Sequence, residues 1–186
     1  MLLENLTLNT IPIETFLNSL SAALVSIVDN STPNNLPLFQ SVAFGVDAVL
    51  QSAMNGKPNV NDCPLARIFW DPYTINYQNN ANTALYVNLP VDIYILFALD
   101  QGNQSNFQIL RERFVHYVLD YIKYGVYAVD NNRGMQYNKD WKWNVTNAPI
   151  THDTTFRIVG KQIDVTPKSN FSVTKISLNA MIKNYG

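Results

Sequence analysis

Acid–base or nucleophilic chemistry in this chain would have to draw on two histidines, His116 and His152, a single cysteine, Cys63, and scattered aspartates. His116 falls inside an apolar-periodic stretch, 106–122, but off its strongest stripe, where a histidine is a surface or packing residue. His152 and Asp153 are adjacent at the start of an extended segment. Neighbours on a strand point to opposite faces, so the two are not a ready dyad. Neither histidine has a second ligand at metal spacing, and one cysteine excludes an internal disulfide. There is no GxSxG, HExxH, phosphate-binding loop, GxGxxG before a helix or acidic calcium loop. Asp71-Pro72 reads as turn chemistry. No spacing argues for the carboxylate pair of a glycoside hydrolase. The expectation is a protein that is not an enzyme and uses no metal or cofactor.

What the chain does offer is aromatic surface. It has 47% hydrophobic and 15% charged residues and a net charge of -1. That balance describes a globular protein, poor in charge, with no general attraction to nucleic acid or acidic membrane. The segment 126–153 is dense in aromatics and carries cations. Trp, Tyr and Arg are enriched at interface hot spots, so Arg133, Tyr137, Lys139, Trp141, Lys142 and Trp143 are interface candidates. Tyr86 and Tyr94 join them from the mixed face of a long strand. The N-terminus, MLLENLTLNT, lacks the basic region and apolar core of a secretory signal, and no apolar run reaches the length of a membrane span.

The elements that must position these groups centre on 85–99. Leu85, Val87, Leu89, Val91, Ile93, Ile95, Phe97 and Leu99 alternate with Tyr86, Asn88, Pro90, Asp92, Tyr94, Leu96 and Ala98. This is a strand with one apolar and one mixed face, about 50 Å long at roughly 3.3 Å per residue. Such length could leave its outer end free to pair with another subunit, and Pro90 opens one side of its ladder. Segments 65–70 and 73–77, split by Asp71-Pro72, should lie antiparallel to it. Thr10 and Pro12 look like the start of a helix whose stripe is Ile13, Phe16, Leu17, Leu20, Leu24, Ile27 and Val28. Phe107, Leu110, Phe114, Val118, Tyr121 and Ile122 mark a second helix, over 106–122. Segment 38–54 fits both helical spacing and alternation, and its length and Gly56 favour helix. Near the end, 154–166, with a bulge suggested at Gly160, and 171–182, which changes parity near Lys175, should form a hairpin.

These readings make residues 1–186 a single α+β domain. Its sheet is antiparallel-dominated, with two or three helices packed mainly on one face. It carries an extra helical segment at 36–63 and a long aromatic-rich insertion or arm at 126–153. The order of helix, strand pair and helix, with the Asp71-Pro72-Tyr73 break, the strand 85–99 and the helix 106–122, resembles the tail terminator or tail completion proteins of tailed bacteriophages. The resemblance covers 10–29, 65–122 and 154–182. It implies a virion structural protein of the head–tail junction, a terminator or neck connector, synthesised in the host cytoplasm. Such proteins form a ring, commonly a hexamer, between portal or connector and tail components. DNA passes through the channel without sequence-specific binding, and no membrane is involved. The subunit contact would use edge pairing by the outlying ends of 85–99 and 171–182. The alternative is an accessory nucleic-acid- or carbohydrate-binding module that uses an exposed Tyr/Trp surface.

Overall fold

A computed structural model describes residues 11–29, 33–54, 61, 63–71, 73–76, 85–98, 104–124, 126–127, 132–133, 141–144, 148–153, 156–158, 161–163 and 171–184. In chain order the elements are α1 (Pro12–Ser26), β1 (Val28–Asp29), β2 (Leu36–Pro37), β3 (Ser41–Phe44), α2 (Ala48–Met54), β4 (Leu65–Trp70), β5 (Thr74–Asn76) and β6 (Leu85–Ala98). Then follow α3 (Gln104–Tyr124), β7 (Val126–Tyr127), β8 (Asn132–Arg133), β9 (Trp141–Asn144), β10 (Ile150–His152), β11 (Phe156–Ile158), β12 (Lys161–Ile163) and β13 (Phe171–Asn184). The fold is α+β. Its main sheet has the order β10-β13-β6-β4-β3, with β5 also on β6 and β9 also on β13. Every pairing in it is antiparallel except β3 with β4.

The alternation in β6 sets the layering. Val87, Leu89, Val91, Ile93, Ile95 and Phe97 are buried on one face with the apolar stripe of α1, with Val115, Val118 and Ile122 of α3, and with Ile176, Leu178, Ala180 and Ile182 of β13. On the other face, Tyr94 and Leu96 join Leu65, Phe69, Phe171 and Val173 beneath Leu50 of α2. Two helices therefore cover one face and the short third helix part of the other. The register of β13 on β6 is unbroken, from Phe171↔Ala98 to Asn184↔Leu85. The change of parity near Lys175 is thus not a kink. The first half of β13 is apolar toward α2 and the second half toward α1 and α3, so two-sided burial moves the pattern across the strand.

Several expectations are corrected. The helix expected over 38–54 begins only at Ala48. Ser41–Phe44 is a strand parallel to β4, Gly45 turns the chain at φ +63°, and Asp47 caps α2 by accepting the Leu50 N–H at 2.9 Å. The N-cap of α1 is Ile11, with Pro12 in the first turn; Thr10 lies outside the described residues. No 156–166/171–182 hairpin forms. Phe156–Ile158 instead pairs antiparallel with Lys161–Ile163, Ile158 opposite Lys161 and Phe156 opposite Ile163, while β13 pairs with β6, β9 and β10. Part of 126–153 is likewise built into the main sheet, as β9 and β10. In α3, Leu110 is 57% exposed, and Arg111 turns inward in its place.

Strand β6 is interior. β13 lies along its full length, and β4 and β5 occupy the other side. Pro90 sits where β4 gives way to β5, and its carbonyl accepts the Asp71 N–H at 3.1 Å. The far side of β13 is taken by β10 and β9, and its intervening groups bond outward as well: Val173 O accepts from Asp153 N–H, and Ser177 N–H donates to Pro149 O. Pairing is therefore taken up within the fold on both sides of residues 86–88 and 91–96 of β6 and of 173–177 and 179–182 of β13. The main sheet ends instead at β3 and β10.

Candidate functional site

Polar side chains converge where α3 crosses β10 and β13. Buried Arg111 donates from Nη1 to both carboxylate oxygens of Asp153, at 3.1 Å each, and to Ser172 Oγ at 2.7 Å. Ser172 in turn donates to Asp153 Oδ1 at 2.8 Å. Beside this cluster, Glu112 Oε1 lies 2.6 Å from His152 Nε2, and His152 Nδ1 lies 2.9 Å from Thr174 Oγ1. The carboxylate–imidazole–hydroxyl order has the outline of a nucleophile relay, but Thr174 is fully buried on the core face and no substrate could reach its hydroxyl. The arrangement is a double clasp holding α3 to the sheet. His152 and Asp153 serve separate partners, as their alternation requires. Asp153 has a positive φ of 50°, a conformation that Asp tolerates better than most residues. Burial disfavours its charge, but the Ser172 hydroxyl, Arg111 and His152 outweigh that and hold its carboxyl below the usual carboxylate range.

On the opposite face, Lys175 Nζ pairs with Asp92 Oδ2 at 2.9 Å and sits 5.8 Å from the centroid of the Tyr94 ring. Ser177 donates to Asp92 Oδ1 at 2.7 Å. Burial works against the Lys175 charge; the bond to Asp92 and its attraction prevail and raise the pKa. Asp92 is thus paired across strands within the sheet.

The exposed apolar surface is elsewhere, at the end of the sheet where β3 and β4 finish and α1 begins. A groove of about 300 Å³ is lined by Ile11, Ile13, Glu14, Leu17, Asn18, Phe44, Trp70 and Tyr73. Phe44 and Trp70 meet edge to face, with centroids 6.0 Å apart. Ile11 is 50% exposed, and Phe44, Trp70 and Tyr73 are each nearly 40% exposed. The ends of β3 and β4 hold the two rings, and Tyr73, just before β5, adds a third. Such a surface fits apolar side chains, with Glu14 supplying negative charge at the rim.

Of the interface candidates expected from sequence, one is withdrawn from the surface. Tyr94 is buried, with its ring edge-on to Phe69 at 5.3 Å; α2 covers the face on which it was expected to be free. Tyr86 registers with Lys183 of β13, and Trp141, Lys142 and Trp143 register with Ile182, Met181 and Ala180. These four share one stretch of β13. Arg133 is in the two-stranded β7–β8 pair, opposite Val126. Tyr137 and Lys139 lie outside the described residues. Sequence reasoning missed Ile11, Glu14, Phe44, Trp70 and Tyr73. A signal was present: Trp70 and Tyr73 flank the Asp-Pro break, where a strand leaves its ladder and its aromatics lose their cover.

Among the described residues no cluster of three metal-ligating side chains occurs and no helix is long and apolar enough to cross a membrane. No protein-family model matches this chain, and no curated protein matches it.

Proposed function

We propose that this protein is a virion structural component of the head–tail junction of a tailed bacteriophage. In this reading it is a tail terminator or neck connector whose subunits assemble into a ring around the DNA channel, between a portal-side connector and a tail component. It works by presenting surfaces to other protein rather than by chemistry. The observation that carries the reading is the groove of Phe44, Trp70 and Tyr73, an aromatic surface left open where β3 and β4 finish. Exposed apolar surface of this kind marks a protein contact. The order of elements supports the same reading: helix, strand pair on a long central strand, and second helix stacked on one face. The main polar groups, meanwhile, are engaged in holding the fold together. Tyr94 is removed from any stacking platform, which weakens the alternative of a nucleic-acid- or carbohydrate-binding module.

The test is the native mass of the purified protein across a concentration series, together with a search for the protein in assembled particles. A closed oligomer that co-purifies with particles is expected. A chain that stays monomeric when concentrated and is absent from particles overturns the proposal.

A further inference from the structure

We infer that copies of this chain associate head to tail: the exposed ridge Ile109–Leu110 of one copy inserts into the aromatic groove of the next, with Arg113 against Glu14. This deepens the assembly reading above and rests on it. Ile109 and Leu110 are 56% and 57% exposed and adjacent; the other exposed large hydrophobics outside the groove, Val25, Leu36 and Met181, are separate from one another in the chain. Arg113 is exposed and lies four residues from Ile109 and three from Leu110, so all three share one side of α3. The groove has the complementary make-up, with apolar walls and the exposed carboxylate of Glu14 at its rim.

The two surfaces sit at different levels along the sheet. Phe107, at the start of α3, packs against Phe97 near the C-terminal end of β6. Trp70 registers with Val91, at the middle of β6, and the strand after Tyr73 begins opposite Asn88. A patch that meets a different patch makes a heterologous contact, and such contacts propagate into rings or filaments.

The experiment mixes two crippled chains. Trp70→Glu removes the groove and leaves the ridge; Leu110→Glu does the reverse. By sedimentation velocity, each variant alone should associate about tenfold or more weakly than wild type. Their mixture should form a one-to-one heterodimer and stop, because one intact ridge and one intact groove remain. That complementation also shows that both variants are folded. Glu14→Arg and Arg113→Glu should each weaken association, and the two combined in one chain should restore it. If wild type assembles and the variants assemble equally well, or the mixture gives no heterodimer, the ridge-and-groove contact is wrong while the assembly reading stands. A monomeric wild type overturns both. Head-to-tail oligomers missing from particles would sink the virion reading alone.

Discussion

Arg67 and Asp47 tie the second face of the sheet to the start of α2. Arg67 is fully buried; its Nη2 lies 2.8 Å from Asp47 Oδ2 and 2.9 Å from Oδ1, and its Nε reaches Oδ1 at 3.1 Å. The remaining guanidinium nitrogen, Nη1, donates to the carbonyls of Ala66 and Ser41 at 2.7 and 3.3 Å. Asp47 also caps α2. One carboxylate thus completes a buried cation and begins a helix.

Asp47→Ala should therefore cost more than an ordinary cap deletion, about 2–3 kcal/mol, because it leaves a buried guanidinium without its anion. Asp47→Ala combined with Arg67→Met should recover part of that loss. Urea unfolding of the single and double variants measures the coupling, and strictly additive effects would contradict it.

Acid should weaken the fold through Asp47 and Asp153. For Asp47, burial opposes the charge, but the Leu50 N–H and Arg67 overcome it, so its carboxyl, like that of Asp153, is held below the usual range. A depressed folded pKa contributes stability that is fully present above the unfolded value, about 3.9, and is lost as pH falls through the folded pKa. Thermal melts should change little on these groups' account above about pH 5 and fall steeply below about pH 4. Asp153→Asn should flatten that fall. Lys175 acts at the other extreme: its raised pKa contributes stability below about pH 10.4 that is lost as pH rises through the folded value.

The inward turn of Arg111 divides α3 in a way that substitution can read. Leu110→Ala should change stability by no more than about 0.5 kcal/mol. Val118→Ala, at a fully buried position one face away, should cost about 2 kcal/mol. Equal effects would mean that the stripe runs through Leu110 after all.

Gly45→Ala tests backbone conformation in isolation. The glycine holds φ +63°, and an added Cβ would meet nothing within 4 Å. The expected cost of about 1 kcal/mol is that of a left-handed backbone alone. Gly45→Asn should cost less, since Asn visits that region more readily. A much larger loss for Ala would point to steric contact instead.

Ile93 sits at the centre of the sheet, opposite Ile176 and Ile68. Ile93→Ala should cost about 3–4 kcal/mol as a cavity in a surface packed on every side. Val87→Asp and Phe97→Asp should both unfold the protein, because β6 is enclosed at both ends. Denaturation midpoints for the three separate this from a strand with a free outer end, in which one of the two charges would be tolerated.

Strong local patterns were legible without coordinates. The 87–97 alternation became the central strand, and Ile13, Phe16, Leu17, Leu20, Leu24 and Ile27 became the buried stripe of α1. The antiparallel placement of 65–77 on the long strand followed from the polar, Asn-rich stretch between them, and it is observed for 65–70 and 74–76. Ambiguity cost the reading of 38–54, where a four-residue strand and a seven-residue helix share one apolar run. Leu110 misled because it satisfied helical spacing as well as its neighbours did, and only packing shows that a buried arginine takes the inward place. The candidate site was the least legible part. Aromatic density pointed to 126–153, whereas the open groove draws on α1, β3 and the β4–β5 break.

The chain's own periodicities determined its principal elements and the polarity of their faces, because a period of two or of 3.6 is a local property of consecutive residues. Tertiary structure alone decided which surfaces meet. Arg111 finds Asp153 across 42 residues and Ser177 finds Asp92 across 85. Tyr94 is covered by a helix that comes forty residues earlier in the chain, and the Phe44–Trp70–Tyr73 groove exists only because three separate elements end together. Burial and exposure are set by such distant pairings, and residue spacing along the chain does not contain them.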